Sequence, residues 1–383
     1  MLELLVRQCQ NEYHRLKNGE ILLKATLTGV IIYKNTKEIL IAVAREIKEL
    51  GSEFMLNSYK KGHNDYLDIL SYPKRYVLSG RTGLYLIAQE LLIKKISSVA
   101  LPEYCCGSMV MPFVEAGIKV NFYGKEGIPK EGAVLVMDYF GFLSIQTVTF
   151  AQRCKEKGLV IIVDGTQTAF CKAKTYEFAD YIVVSYRKWL DCLCAAVYSR
   201  EGFQVEPYEK SANVFCDTWR EAARKKRLYI DESIGNKMEF LELYAKANNM
   251  LSKDYMGYKA RENEIEILEN IDTVYLRTKR RDNAQILING IKNEVELMFN
   301  TINKEDCPLH VPIIVPSKKR ARLKEMLIQQ QIYCPCHWPV DKQYPYHETS
   351  FHNEELSLIC DQRYSIADME AELRNLLSIL KED

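Results

Sequence analysis

The 383-residue chain has no apolar run that approaches the roughly 18 residues needed to cross a bilayer. Its first twenty residues lack the basic segment and apolar core of a secretory signal. Net charge is also nearly absent, since 52 basic side chains are balanced by 51 acidic ones and leave a formal charge of +1. Such a balance creates no field that would attract nucleic acid or an anionic membrane surface. These absences predict a cytoplasmic protein that binds neither nucleic acid nor membrane.

The twelve cysteines lack the spacing of a structural zinc site. Cys192 and Cys194 are separated by one residue, as are Cys334 and Cys336. Paired cysteine ligands of zinc usually have about two to four residues between them. Without a secretory signal, disulfides are not expected either. The cysteines are therefore predicted to be free thiols, and no metal site is expected.

Between about residue 75 and residue 200, short apolar segments alternate with amphipathic helical segments. Two of them, AVLVMDYFG at 133–141 and LVIIVDG at 159–165, are almost wholly apolar. Strands of this kind belong to a parallel sheet that helices cover on both faces. We therefore predict a large doubly wound α/β domain over residues 51–205.

Three further parts are predicted around this domain. Residues 1–50 form an N-terminal extension of unknown role. Residues 206–300 are charged and helical, and their basic runs at 220–227 and 279–283 are interpreted as solvated helix faces. Residues 301–383 contain the strand-like LHVPIIV followed by a helical pattern, which predicts a smaller α+β C-terminal domain.

The turn after the first strand of the large domain has the composition of an anion site. It reads Ser79-Gly80-Arg81-Thr82-Gly83. In open α/β sheets, ligands bind at the carboxyl ends of the strands, where helix N-termini direct backbone N–H groups at them. The Arg81 guanidinium and the Thr82 hydroxyl would add two donors. An ordinary strand-to-helix turn has the same composition, so this turn alone predicts little.

Two other strand ends carry a carboxylate and a lysine. Asp164 and Gln167 follow the strand LVIIV, and a carboxylate buried there needs a cation or hydrogen-bond donors. Ser185 and Lys188 follow the strand DYIVV, where desolvation would lower the lysine pKa and make its amine nucleophilic. The alternatives are a turn or helix cap for Asp164 and a solvated side chain for Lys188.

Taken together, the three segments match one cofactor. They supply a phosphate cradle, an acid for a ring nitrogen and an amine for an aldehyde, which is what pyridoxal 5′-phosphate (PLP) requires of a protein. With these residues the sequence resembles the DegT/StrS group of fold-type I PLP enzymes, the nucleotide-sugar aminotransferases, from about residue 51 onward. The strings CHWPV (336–340) and CDQRYS (360–365) are similar to one sub-branch of that group.

The resemblance implies a fold and a set of site residues. The fold would be that of a fold-type I PLP-dependent transferase, with a mostly parallel doubly wound sheet and a smaller α+β C-terminal domain. The family's phosphate-binding turn corresponds to Gly80, Arg81 and Thr82. Its pyridinium partner and the side chain near the ring hydroxyl correspond to Asp164 and Gln167. Its phosphate-contacting serine and Schiff-base lysine correspond to Ser185 and Lys188.

The resemblance also implies an activity. Lys188 and Asp164 would be the catalytic residues of an aminotransferase that moves an amino group, with glutamate as donor, to a keto-sugar nucleotide. Such reactions serve the synthesis of surface polysaccharides or glycosides. The enzyme would be a homodimer. His337 and Tyr139 are candidate contacts of the substrate.

Some positions depart from the family pattern. The Gly-Gly pair that usually follows the lysine is replaced by Ala195-Ala196, and Cys106 stands where many members stack an aromatic ring on the cofactor. These departures leave two alternatives open, a PLP enzyme of another reaction class and a binding protein that has lost catalysis. A lysine at position 188 argues against the dehydratase branch, which carries histidine there. A nicotinamide-dependent enzyme would need a Gly-x-Gly-x-x-Gly turn after the first strand of the large domain, and the Ser79–Gly83 turn does not supply that pattern.

Overall fold

The computed structural model describes residues 49–68, 71–124, 127–340, 343 and 349–381, together with four short strands before residue 49. By their contacts the residues form two compact units, Met1–Lys48 with Leu228–Gly235 and Glu49–Arg227 with Asn236–Asp383. The predicted boundaries within residues 51–383 stay a prediction. The first unit contains an antiparallel sheet of four strands in chain order. These strands are β1 (Asn11–Arg15), β2 (Ile21–Ala25), β3 (Ile31–Asn35) and β4 (Glu38–Leu40).

The second unit is built on a nine-stranded sheet. The strands of this unit are β5 (Leu50–Gly51), β6 (Lys74–Val77), β7 (Ser98–Pro102), β8 (Lys119–Tyr123), β9 (Ala133–Val136), β10 (Val160–Asp164), β11 (Tyr181–Ser185), β12 (Ala195–Ser199), β13 (Lys210–Ser211), β14 (Tyr258–Lys259), β15 (Glu296–Leu297), β16 (Val311–Ile314), β17 (Ile332–Tyr333) and β18 (Glu355–Leu358). The order across the large sheet is β13-β14-β6-β12-β11-β10-β9-β7-β8. Strands β7 to β11 are parallel, and β12 runs antiparallel to both β11 and β6. The predicted mostly parallel sheet is confirmed.

Helices cover both faces of this sheet. The α-helices within the described residues are α1 (Gly80–Ile93), α2 (Gly107–Glu115), α3 (Ile145–Glu156), α4 (Asn213–Glu232), α5 (Lys237–Lys253), α6 (Glu262–Glu269), α7 (Thr273–Ile291), α8 (Ser317–Gln329), α9 (Ser350–Glu354) and α10 (Ile366–Lys381). Alternate side chains of one strand enter different cores. In β9, Ala133 and Leu135 pack with α1 and α2, whereas Val134 and Val136 pack with α3. This alternation explains why buried parallel strands are apolar at every position.

A glycine sets how closely α1 approaches the sheet. A Cβ atom on Gly83 would lie 2.8 Å from a methyl group of Val183 and 2.8 Å from one of Val197. Helix α1 therefore lies directly on β11 and β12 at this point. The close approach places the first turn of α1 beside the carboxyl end of β11.

A smaller antiparallel sheet, in the order β15-β16-β18, lies in the C-terminal part of the chain. Its core includes Val311 and Leu356 from the sheet and Leu287, Leu327 and Met369 from α7, α8 and α10. Strand β17 pairs in parallel with β5, which joins residue 50 to this region. The strand and helix predicted after residue 309 are both confirmed.

The basic runs in the helical segment are not wholly solvated, so that interpretation was wrong. Arg220 forms ion pairs with the buried carboxylates of Asp191 and Glu264. Lys226 is 3% exposed, and burial lowers its pKa to about 7. Arg280 is fully buried. Each of these side chains connects its helix to another part of the second unit.

No helix in the described ranges is long and apolar enough to span a membrane. The described cysteines are all free, and most of them are buried.

A buried carboxyl group gives a test of this packing. Glu372 in α10 is 0% exposed, accepts a hydrogen bond of 2.9 Å from the Ile359 N–H, and burial raises its pKa from 4.5 to about 8. The folded protein therefore keeps a proton that the unfolded chain loses, so the free energy of unfolding falls as pH rises from about 4.5 to about 8. Glu372→Gln keeps the neutral form and should flatten this slope, with a gain of about 2–4 kcal/mol at pH 8.

Urea unfolding at about pH 5 and pH 8 measures this slope. Glu370→Gln, an exposed position on the same helix, is the matched control. Equal slopes for Glu372→Gln and the wild-type protein would contradict the assignment.

Candidate active site

The three predicted segments meet at one edge of the large sheet. Strands β6, β10 and β11 point the same way, and their carboxyl ends border a cavity of about 410 Å³. A Cβ atom on Gly80 would lie 3.1 Å from Ser185 Cβ and 3.9 Å from Thr166 Oγ1. The turn after β6 therefore contacts the residues that follow β10 and end β11. Sequence positions about 100 residues apart form a single site.

Lys188 extends into this cavity from a short 3₁₀ turn, Tyr186–Lys188, that follows β11 directly. Its side chain is exposed along the wall of the cavity. Desolvation by the surrounding protein lowers the Lys188 pKa, and the charges of Arg187 and Arg81 lower it further, against the opposing effects of Glu53 and Cys106. A lowered pKa increases the fraction of neutral amine, which is the nucleophilic form.

The backbone around Lys188 is held from several directions. The Trp189 indole Nε1–H donates to the Thr166 carbonyl at 2.7 Å. The Gln362 side-chain amide donates to the Trp189 carbonyl at 2.8 Å, and the Arg280 guanidinium lies 4.7 Å from the centre of the Trp189 ring. These contacts of Trp189 fix the loop that carries Lys188.

Asp164, the last residue of β10, is a buried carboxylate beside this loop. One oxygen accepts a hydrogen bond of 2.8 Å from the Thr166 backbone N–H. Burial raises the Asp164 pKa, and only Thr166 opposes this effect. Within the described ranges no lysine or arginine forms an ion pair with Asp164. Such a group is costly to bury alone, so it suits a cationic ligand.

Gln167 lines the same cavity, and its orientation is set by the protein. Its carbonyl oxygen accepts a hydrogen bond of 2.6 Å from the Phe140 backbone N–H. Because that contact fixes the carbonyl end, the NH₂ group of the side chain is left as the donor for a ligand.

The residues of the Ser79–Gly83 turn differ in their placement. Arg81 lines the cavity and donates to the Leu251 carbonyl at 3.3 Å. Thr82 does not line the cavity, because its hydroxyl donates to the Tyr255 carbonyl at 2.8 Å and contacts Ser79 Oγ at 2.9 Å. Ser79 in turn accepts from the Thr82 backbone N–H and caps α1. In this structure Thr82 supports the turn, and its predicted contact with a phosphate stays a prediction.

Arg187 is a site residue that the sequence analysis did not single out. It lines the cavity beside Lys188, lies 4.9 Å from the centre of the Trp219 ring and donates to Asn248 at 3.1 Å. Burial lowers its pKa, and so does the charge of Arg81, against the opposing charge of Glu53. Within the described part of the chain, Arg187 forms no ion pair with a carboxylate. The sequence feature that could have identified Arg187 as a site residue is its position directly before Lys188.

The two candidate substrate residues are placed differently. His337 lines the cavity. Tyr139 does not line it, because its hydroxyl donates to the Tyr104 carbonyl at 2.8 Å and its ring packs against Trp338. A direct contact of Tyr139 with a substrate therefore stays a prediction that this geometry does not support.

The departures from the family pattern do not obstruct the cavity. Ala195 and Ala196 lie in β12, where they pair with Ser185 and Val184, and both are fully buried in the cores beside the sheet. Neither lines the cavity. Cys106 does line it, at the N-terminus of α2, with its sulfur 2.9 Å from Ser108 Oγ.

The chain matches no protein-family model and no curated protein sequence. Its structure is similar to Helicobacter pylori PseC, an aminotransferase involved in the biosynthesis of pseudoaminic acid (TM-score 0.61, 13% identity, 88% of this chain and 100% of that chain). It is also similar to NtdA of Bacillus subtilis with bound cofactor PMP (0.54, 13%, 81% and 74%) and to a DegT DnrJ EryC1 StrS aminotransferase of Brucella abortus (0.51, 14%, 81% and 86%). The chain therefore has the fold of the PLP-dependent aminotransferases, an α/β fold with a mostly parallel central sheet.

Proposed function

We propose that this chain is a PLP-dependent aminotransferase that moves an amino group from glutamate to a keto group of a nucleotide-linked sugar. The observation that carries the proposal is the arrangement of Lys188, Asp164 and Ser185 around one cavity, in a fold shared with aminotransferases. The product would enter a surface polysaccharide or a glycoside. By the family resemblance, we further propose a homodimer that acts in the cytoplasm.

The residues of the cavity fit PLP at both ends. Asp164 is a buried carboxylate without a described cationic partner, which suits a protonated ring nitrogen. Arg81, in the first turn of α1, and Arg187, in the turn after β11, both line the cavity with Ser185 and have no described carboxylate partner, which suits a phosphate. Lys188 completes the set as the amine that bonds the aldehyde.

When bound, PLP supplies an aldehyde that captures amines and a ring that withdraws electrons. Once the amine of the donor has taken the place of Lys188 on the aldehyde, the freed Lys188 Nζ, with its lowered pKa, would accept the proton from the α-carbon of the donor and later return it. The Asp164 carboxylate accepts a hydrogen bond from the ring nitrogen and stabilises its positive charge. The Gln167 NH₂ group donates to the ring hydroxyl oxygen. The fixed loop around Trp189 keeps Lys188 Nζ in place through both halves of the reaction.

The charge of the cavity supports anionic substrates. Five basic side chains line it against three carboxylates, and within the described ranges Arg280 donates to neutral oxygens alone, including the Leu309 carbonyl at 3.0 Å and Gln362 Oε1 at 2.7 Å. Both glutamate, with its carboxylates, and a sugar nucleotide, with its diphosphate, are anions that such a cavity attracts.

A transfer assay tests the reaction class. Protein loaded with PLP is treated with ¹⁵N-glutamate, freed of amino acid and then mixed with dTDP-4-keto-6-deoxyglucose or UDP-4-keto-6-deoxy-N-acetylglucosamine. We expect release of 2-oxoglutarate in the first step and a ¹⁵N-labelled amino sugar, detected by mass spectrometry, in the second. Protein that binds PLP but releases no oxo acid from glutamate, glutamine or alanine would belong to another reaction class.

The arginine pair predicts how the phosphate is held. Arg187→Gln should weaken PLP binding about 10-fold, because it removes a charge-assisted hydrogen bond to the phosphate. Binding of pyridoxal, which has no phosphate, should change less than about twofold. Absorbance titration of cofactor-free protein measures both affinities. Arg224→Gln, at an exposed arginine of α4, is the matched control, and equal losses for PLP and pyridoxal would contradict the role of Arg187.

A further inference from the structure

A chain of hydrogen bonds lies behind His337 on the side away from the cavity. His337 Nδ1 is 3.1 Å from Ser357 Oγ, and the Ser357 hydroxyl donates to Glu355 Oε1. The other oxygen, Glu355 Oε2, accepts the His337 backbone N–H at 2.5 Å. Ser357 and Glu355 are both fully buried in β18. The three residues form a polar unit within the C-terminal part of the chain.

The direction of these hydrogen bonds determines the tautomer of His337. With Glu355 as a carboxylate, both of its oxygens are acceptors, so the Ser357 hydroxyl uses its single proton on Glu355. Ser357 Oγ can then only accept from His337, which requires a proton on Nδ1. In a neutral imidazole the other nitrogen, Nε2, is therefore an acceptor.

The Nε2 atom of His337 has no hydrogen-bond partner within the described ranges, and the ring lines the cavity. The ring is packed edge-to-face against Phe140 at 5.3 Å and lies 5.4 Å from the His310 ring. His310 also lines the cavity, its Nδ1 is buried without a partner, and burial holds its pKa well below the usual range. Two imidazoles thus form one wall, and at least one of them offers an acceptor.

The ligand group that meets this acceptor must be a donor. A cationic donor is disfavoured at this wall, because five basic side chains line the cavity against three carboxylates, and one of those carboxylates, Asp361, is already paired with Arg363. A neutral donor remains, and hydroxyl groups are the neutral donors that a sugar carries in number.

We propose that His337 binds a hydroxyl group of the sugar substrate through Nε2, and that Ser357 and Glu355 are positioning residues that set its tautomer. This role rests on the proposed function for the identity of the substrate. It adds a specificity-determining residue to the site and gives the string CHWPV a chemical role.

The side chain of His337 can be changed without removing its backbone contacts. The Tyr104 hydroxyl donates to the His337 carbonyl, and the His337 N–H donates to Glu355. Two substitutions of His337 then test the roles of Nδ1 and Nε2 independently. Asn places an amide group near the position of Nδ1 and keeps the Ser357 contact, whereas Gln places its amide oxygen near the position of Nε2.

The first experiment is ligand-free. Protein with ¹⁵N-labelled histidine gives a long-range ¹H–¹⁵N spectrum that distinguishes protonated from unprotonated ring nitrogens. The chain has six histidines, and His337→Gln assigns the signal of His337. We expect a proton on Nδ1 and none on Nε2 in the wild-type protein. Glu355 Oε1 also lies 3.7 Å from His337 Nδ1, so a mixture of tautomers is expected when Ser357→Ala is combined with Glu355→Gln. A proton on Nε2 in the wild-type protein, or an unchanged signal in the double variant, would overturn the positioning role.

The second experiment measures substrate recognition with dTDP-4-keto-6-deoxyglucose and UDP-4-keto-6-deoxy-N-acetylglucosamine. His337→Asn should raise the KM for the accepted sugar about 10- to 50-fold, and His337→Gln less than about fivefold, because only Gln restores the acceptor. The effect of His337→Asn on the sugar half-reaction should exceed its effect on the glutamate half-reaction about 10-fold. His63→Asn, at a histidine whose side chain is 84% exposed, is the matched control.

The outcomes separate the two proposals. Equal KM values for His337→Asn and His337→Gln, or equal losses in the two half-reactions, would overturn the contact with the sugar. A wild-type protein that does not react with glutamate, or that transfers nothing to either sugar, would contradict the proposed function instead. The spectrum then still decides the tautomer.

Discussion

Lys188→Ala is expected to abolish the covalent attachment of PLP and to lower the glutamate half-reaction by about 1,000-fold or more. The lysine supplies both the amine that bonds the aldehyde and the base that moves the proton, and positioned bases commonly contribute about 100- to 10,000-fold. Its pKa is lowered by desolvation and by the charge of Arg187. Among the described residues that line the cavity, no other lysine could supply an equivalent amine. A small primary amine added to the variant should restore part of the rate, because it replaces the missing base.

Borohydride reduction followed by peptide mass mapping measures the attachment. The wild-type protein should gain the mass of the reduced cofactor on the peptide that contains Lys188, and Lys188→Ala should gain none. Lys246→Ala, at an exposed lysine of α5, controls for nonspecific labelling. An adduct of unchanged yield in Lys188→Ala would remove the basis of the mechanism.

Asp164→Asn is expected to slow the glutamate half-reaction about 1,000-fold, which corresponds to roughly 4 kcal/mol of lost stabilisation. Asparagine is nearly the same size and can still accept the Thr166 N–H, but it cannot balance the charge of a protonated ring nitrogen. The rate is measured by rapid mixing of loaded protein with glutamate. Asp217→Asn, at an exposed aspartate, is the control.

The same substitution should have the opposite effect on the stability of the cofactor-free protein. Burial raises the Asp164 pKa, so the ionised carboxylate costs free energy in the folded state above its unfolded pKa. Asp164→Asn removes that cost and should raise the urea midpoint of the cofactor-free protein at neutral pH. A variant that loses both stability and rate would indicate a structural role for Asp164 and not a role at the ring.

The strands and the strand-end residues could be predicted because their causes are local. Buried parallel strands are apolar at every position, and polar residues at their ends stand out against that background. Gly80, Asp164, Ser185 and Lys188 were found in this way, and the structure brings them to one cavity. Predicting that they meet needed only the rule that parallel strands share a carboxyl edge.

The buried charges could not be predicted, because their partners are far away in sequence. Arg280 was interpreted as solvated, yet it contacts Leu309, Gln362 and the Trp189 ring. A local signal did exist, since Arg280 shares a helical face with Ala284 and Leu287, which are both buried. Its aliphatic stem and planar head allow such burial when several oxygens surround it.

The positions of the Thr82 and Tyr139 side chains outside the cavity could not be predicted either, because their hydrogen-bond acceptors are also distant in sequence. Each has a hydroxyl that donates to a carbonyl, of Tyr255 and of Tyr104, and neither lines the cavity. Sequence position alone does not tell which of two nearby acceptors a hydroxyl uses.

The most direct test of the central claim is the visible absorption spectrum of the purified protein with PLP, before and after glutamate is added. The proposal predicts a visible band that depends on Lys188 and that glutamate converts to the spectrum of pyridoxamine phosphate, with one 2-oxoglutarate released per site. A protein that gains no visible band with PLP, or whose band is the same in Lys188→Ala, would contradict it.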